Sequence, residues 1–234
     1  MEQSSNGTTK LLLACGAIAA PLFIIIFLIE GATRADYSPL RHPVSSLAIG
    51  GLGWMQSANF IVTGLLMLAF AVGLRRAVQP RGGSTWGALL VTIVAIGLVG
   101  AGVFVTDPIS GYPPGTPNMV AQHTLHGTLH DLFSSLVFLG LPIACFVFAR
   151  RFAGWGERGW SIYSVVTGVV FIAAFVVTSA GFGQAAGLVD LAGLLQRITL
   201  TIGWSWLALL AVHLLRAPVA SRPLAVAASR QRQA

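Results

Sequence analysis

Three histidines and an aspartate stand close together in the second half of the chain: His123, His126, His130 and Asp131. His123 to His126 is a three-residue step and His126 to His130 a four-residue step, so on a helix the three imidazoles share one face. Two histidines four apart can chelate a metal ion, the geometry of zinc-protease helices. A centre built on His126 and His130 needs a third ligand. His42 offers one, with Glu30 and Asp107 as carboxylate alternatives. Zinc held in this way would lower the pKa of its water, and Asp107 or Asp131 would orient that water. Arg197, Gln196, Arg41 and Glu30 are the groups available to hold the polar end of a substrate, with Arg197 suited to a lipid phosphate.

These residues lie at one depth. Lys10 leads to Glu30, Gly87 to Asp107, Arg151 to Asp131, and Arg216 to Gln196 and Arg197, each over about twenty residues. At about 1.5 Å per helical residue that interval is roughly 30 Å, one hydrocarbon thickness. Separate helices would therefore deliver polar side chains to the same membrane boundary, with nothing charged in the apolar stretches between.

Composition demands such helices. Of 234 residues 55% are hydrophobic and only 9% charged, against about 25% charged in a soluble domain. Mean hydropathy is +0.80. Apolar stretches run over about Leu11–Ile29, Trp54–Leu74, Thr85–Val105, Leu132–Ala149, Trp160–Ala180 and Ile198–Leu215, each close to the ~20 residues of a spanning helix. The expectation is an all-α, polytopic membrane protein with six transmembrane helices in one bundle over residues 10–216. Residues 1–9 and 217–234 are expected as disordered cytoplasmic tails. The first stretch is too long for a cleaved signal peptide and is expected to remain as a helix.

With both termini cytoplasmic, 11 of the 14 basic residues fall on the inner side, leaving Arg34, Arg41 and Arg197 outside. This is the positive-inside bias, which accounts for the net charge of +7 without nucleic acid. The localisation expected is the bacterial cytoplasmic membrane. Cys15 and Cys145 fall inside hydrocarbon and are expected as packed thiols.

The outer loops are the long ones, about 31–53 and 106–128. The first is apolar after Pro43 and is expected to pack over the bundle as a lid. In the second, Thr116 and Pro117 are a fitting N-cap and first residue for the fourth helix. Asp190, in the last outer loop, is expected in solvent. Arg197 on the outer rim opposes the charge rule and calls for a partner: a carboxylate of Asp107 or Asp131, or a phosphate. Gly97, Gly100 and Ala101 suggest a close helix contact, and Trp204 and Trp206 are expected as packing residues. His213 is expected at the inner interface.

Four stretches resemble the domain-of-unknown-function 998 family of bacterial membrane proteins: His42-Pro43-Val44-Ser45-Ser46, Asp107-Pro108, His126-Gly127 with His130-Asp131, and Gly193-Leu194-Leu195-Gln196-Arg197-Ile198. The resemblance spans most of residues 10–216 and implies a six-helix bundle without assigning an activity. More remotely, the chain resembles eukaryotic six-helix proteins of lipid remodelling and autophagy. A looser likeness is to membrane hydrolases of the alkaline ceramidase and adiponectin-receptor type, which join a three-histidine zinc to an aspartate and a serine. That likeness implies His42, His126 and His130 on zinc, with Asp107 and Ser45 or Ser46 beside it.

Two functions follow: a metal-assisted hydrolase or modifying enzyme for a lipid-like substrate at the outer leaflet, or a non-enzymatic binder of a lipid or small molecule, including a membrane partner subunit. Ion-coupled transport is disfavoured, because helix middles hold only groups such as Thr92, Ser134, Thr167 and Ser205; a neutral-solute carrier is the third alternative. Paired haems are disfavoured because the histidines gather on one side.

Overall fold

In hydrocarbon every backbone N–H and C=O must find its partner within the protein, so long apolar runs fold as helices. The computed structural model describes residues 2–82 and 85–216. It contains α1 (Glu2–Thr33), α2 (Gly53–Val78), α3 (Thr85–Val103), α4 (Leu125–Gly154), α5 (Arg158–Phe182) and α6 (Ala192–Arg216). Among the described residues these are six helices long and apolar enough to cross a membrane. The molecule is an all-α, multi-pass membrane protein. The basic tail over 217–234 lies outside the described residues.

Each helix packs on its predecessor, and α6 returns to α1, closing the six into a ring in chain order. Aromatic side chains fill its middle. The Phe23 ring lies 5.4 Å from Phe27, 5.5 Å from Phe60 and 5.0 Å from Trp204, and both Trp204 and Trp206 are fully buried. Lipid supplies no hydrophobic drive between helices, so close packing at small residues carries association. The expected glycine contact is present: a methyl group on Gly97 would meet the Phe133 carbonyl of α4 at 2.6 Å. On α2, Asn59 donates to the Phe23 carbonyl (3.2 Å) and to Gln56 Oε1 (3.2 Å), a buried polar strip near the end that carries the long loops.

Two boundaries differ from the sequence expectation. α1 starts at Glu2 rather than near Lys10. α4 starts at Leu125, not at Pro117, because Thr116 has another use. Its hydroxyl donates to the Pro113 carbonyl (2.7 Å), and the Pro117 carbonyl accepts Gly111 N–H (3.1 Å), so both belong to a turn within the loop. The helix cap is Thr124, whose Oγ1 accepts Gly127 N–H at 2.9 Å.

At the short-loop end, Glu157 and His213 pair at 2.6 Å, with the His213 ring 4.3 Å from Trp160. Cys15 and Cys145 are free thiols.

Candidate functional site

The first long loop is fixed from below by α6. Leu194 N–H donates to the Leu40 carbonyl (2.9 Å), and Gln196 Oε1 accepts Val44 N–H (2.7 Å). Arg197 Nη1 donates to the carbonyls of Pro39 (2.7 Å), His42 (3.1 Å) and Gly193 (3.0 Å), while Nη2 donates to the Tyr37 hydroxyl. A methyl group at Gly193 would stand 2.5 Å from the His42 carbonyl and 2.7 Å from that of Pro39. Only glycine lets the loop lie this close. The Gly193–Ile198 stretch and the His42–Ser46 stretch are thus two halves of one joint.

Arg197 is 6% exposed, and among the described residues no carboxylate pairs with it. In place of the carboxylate of Asp107 or Asp131 expected from the charge rule, chain oxygens and the rings of Phe27 (5.9 Å) and Tyr37 (5.5 Å) surround the guanidinium. These serve a guanidinium well because it is planar and weakly hydrated.

Further contacts hold the loop elsewhere. Glu30 pairs with Arg34 (2.9 Å), and Arg34 donates to the carbonyls of Ile49 (3.4 Å) and Leu52 (3.2 Å). Arg41 reaches the other two loops, donating to the Ser110 carbonyl (3.1 Å), to Asn118 Oδ1 (2.9 Å) and to Asp190. Asp190 is therefore an ion-pair partner even though its side chain is 82% exposed. His42 lies under Tyr37 and Tyr112, with ring centroids at 5.3 and 5.1 Å. Its Nδ1 accepts Ser38 N–H (2.9 Å). Burial, then the charges of Arg41 and Arg197, hold its imidazole below the usual histidine range. Burial pushes the Tyr37 phenol up, against the pull of Arg197; its hydroxyl donates to the carbonyl oxygens of Pro43 (2.9 Å) and His42 (3.1 Å).

A second joint ties α3 to α4. Asp107 accepts Thr124 N–H at Oδ2 (2.9 Å) and the Thr124 hydroxyl at Oδ1 (2.7 Å). A side chain at Gly127 would overlap that carboxylate. A carboxylate at a helix N-terminus is favoured by the helix dipole, which explains the pairing of Asp107-Pro108 with His126-Gly127. One turn further, His130 is 3% exposed, and its Nδ1 lies 3.0 Å from the Ala101 carbonyl and 2.8 Å from that of Phe104. Two carbonyl acceptors at Nδ1 place a proton on that nitrogen.

Between the joints lies a cavity of about 200 Å³. Its polar wall includes Ser45, Asp107, His130, Asp131, Ser134 and Gln196. Its apolar end is formed by Phe23, Phe60, Leu98, Val137, Leu200 and Trp204. Ser45, Asp131, Ser134 and Gln196 are partly or fully exposed, as are the apolar Ile109, Val120, Phe138 and Phe182, whereas Asp107, His130, Phe23, Leu98, Leu200 and Trp204 are buried. Along α6, Gln196, Leu200 and Trp204 face the cavity at four-residue spacing.

The sequence candidates thus separate. Ser45, Asp107, His130, Asp131 and Gln196 meet in the cavity. Glu30, Arg41, His42 and Arg197 build the loop support, their polar atoms largely engaged by the chain. His126 does neither: it is exposed on the first turn of α4, its ring 5.6 Å from Phe104. The metal set His126, His130 and His42 does not fit one ion, since each imidazole has a different environment. Among the described residues no three His, Cys, Asp or Glu side chains gather as ligands. Sequence reasoning missed Thr124, whose place three residues before Gly127 is a capping signal, and Tyr37, which carries no local signal.

No curated protein and no solved structure matches the chain. A family model described as protein of unknown function (DUF998) matches residues 17–213. The two joints and the cavity all fall inside that range, and the chain belongs to this family.

Proposed function

We propose that the protein binds a lipid-like amphiphile in the interior cavity, entering from the outer leaflet. The single observation behind this reading is the cavity's mixed lining, in which carboxylate, imidazole and hydroxyl groups stand beside phenyl, indole and aliphatic groups. Ligand sites of this kind combine an apolar body with a few convergent polar groups. Its volume is below the ~300–1,000 Å³ of drug-sized sites, which suits one chain rather than a two-chain lipid. What supports placing the site at the outer leaflet, with both termini in the cytoplasm, is the set Lys10, Arg75, Arg76, Arg151, Arg158 and Arg216 at the short-loop end.

The test is mass spectrometry of molecules retained by the purified protein, with the cavity-filling variant Val137→Phe as control. Val137 is 5% exposed and lines the cavity. A single-chain amphiphile retained by the wild type and lost from V137F is the expected result. Equal retention by both proteins, or none by either, overturns the proposal.

A hydrolytic reading rests on one further observation: Ser45 and His130 line the same cavity, and His130 has its Nδ1 proton held so that Nε2 can accept one. Hydrolysis of p-nitrophenyl butyrate that vanishes in Ser45→Ala and in His130→Gln would support it, and no turnover by the wild type would remove it. Zinc would return to consideration only if purified protein held stoichiometric metal that His130→Ala lost.

A further inference from the structure

The cavity is rich in acceptors and, among the described residues, no lysine or arginine lines it. Asp107 and Asp131 both do. Asp107 is already held by Thr124, at 2.9 and 2.7 Å. Asp131 is exposed and makes no hydrogen bond or ion pair among the described residues, and the hydroxyls of Ser45 and Ser134 are equally free there. His130 is 3% exposed with its Nδ1 on two carbonyls of α3 and the loop after it, while its Nε2 has no partner among the described residues. The side-chain atoms that are both sealed and unpartnered belong to other residues, so Nε2 meets the cavity. Resting on the amphiphile-binding reading, we propose that the ligand's head group is a primary ammonium seated between Asp131, His130 and Ser134, which makes the ligand a single-chain alkylamine.

Spacing on α4 brings the three groups together. Ser134 follows Asp131 by three residues and His130 by four, so its side chain neighbours both on the helix surface. A primary ammonium has three N–H donors and no acceptor. The wall answers with a carboxylate, an imidazole nitrogen and a hydroxyl oxygen, the imidazole accepting at Nε2 in the neutral ring whose proton sits on Nδ1. The aliphatic and phenyl groups of the same cavity, among them Phe60, Leu98, Val137 and Leu200, receive the alkyl chain.

Other head groups fit less well. An anionic head would meet two carboxylates and no cation, and an unpaired charge out of water is strongly disfavoured. Arg197, beside Gln196 on α6, does not line this cavity and turns its Nη groups to the loop carbonyls and Tyr37. A neutral hydroxyl can satisfy one of the acceptors but leaves the Asp131 charge unanswered, and charge-assisted hydrogen bonds are roughly twice as strong as neutral ones. A quaternary ammonium brings the charge without a single N–H for His130 or Ser134. The whole chain carries a net charge of +7, so its overall field repels a cation, and attraction to one must come from the cavity itself.

The experiment titrates the full chain in one nonionic detergent, at about pH 7.5 where an alkylamine is protonated, with decylamine, 1-decanol and decyltrimethylammonium. Wild type should bind decylamine about tenfold more tightly than either of the others. Asp131→Asn keeps the shape and removes the charge, and should bring the preference over 1-decanol to near unity; Ser134→Ala should weaken decylamine more than 1-decanol. Equal affinity of wild type for decylamine and 1-decanol overturns the inference. Equal affinity for the two cations overturns the hydrogen-bonded seat, and with it the primary-amine assignment. A preference unchanged in both variants, or decylamine binding undiminished in V137F, also overturns it. If the probes bind wild type equally and V137F excludes them, the amphiphile site stands and only the head-group assignment fails. If no probe binds wild type, the inference fails together with the reading beneath it.

Discussion

The guanidinium of Arg197 and the phenol of Tyr37 meet in the protein interior, and together they engage the carbonyl oxygens of residues 39, 42, 43 and 193. This pairing turns an apolar loop into a fixed roof. It also explains how a buried cation can stay at this rim without a carboxylate partner: its charge is dispersed over backbone dipoles, a hydroxyl and two aromatic faces.

Replacing Arg197 by lysine keeps the charge but loses the planar fork. A lysine ammonium cannot reach Pro39, His42, Gly193 and Tyr37 together, and each buried oxygen left unpaired costs about 1–3 kcal/mol. R197K should lower stability by about 2–4 kcal/mol, measured as a fall in Tm in detergent. Limited proteolysis should show new cleavage within residues 34–52. An unchanged Tm would mean that the clamp contributes nothing.

Gly127 and Asp107 should be coupled. Gly127→Ala places a methyl group on the Asp107 carboxylate and should be strongly destabilising. Asp107→Ala alone removes a cap, at about 1 kcal/mol. The double variant should be more stable than G127A, because truncating Asp107 relieves the overlap. A thermal double-mutant cycle reads this as a coupling of at least about 1 kcal/mol, and additivity would refute it.

His42 makes stability depend on pH. Its imidazole is held below the ordinary value of 6.5 in the folded protein, so as pH falls the unfolded chain takes up its proton first. Stability is therefore full above about pH 7 and declines as acid passes the ordinary histidine range. His42→Asn retains an acceptor for Ser38 N–H without titrating. Its Tm should fall less than that of wild type between pH 7 and 5.5, and parallel curves would exclude His42 as the source.

Arg41 should matter more for local order than for global stability. Its Asp190 partner is 82% exposed, and exposed pairs contribute only about 0–1 kcal/mol. Arg41→Ala should thus shift Tm little while speeding hydrogen exchange in all three loops that it joins. A change confined to residues 34–52 would contradict the three-loop tie.

The sequence by itself determined the membrane class and the six helices, because hydrocarbon leaves an apolar chain no alternative to satisfying its backbone within each segment. It also determined the level at which Asp107, His130, Asp131 and Gln196 would lie, since helical rise converts residue count into depth. Depth says nothing about rotation, and there the tertiary structure decided. Nor does a shared helix face fix burial: His130 is buried, while His126, four residues earlier on the same face, is exposed on the first turn of α4. Partner choice likewise needed the fold. Arg197 found carbonyls rather than a carboxylate because Gly193 let the first loop approach within hydrogen-bonding range. The start of α4 waited on Asp107, seventeen residues before its cap. Trp204 and Trp206 are indistinguishable by composition and burial; only the closing of α6 against α5 and α1 set one opposite Ser164 and the other against the Phe23 ring.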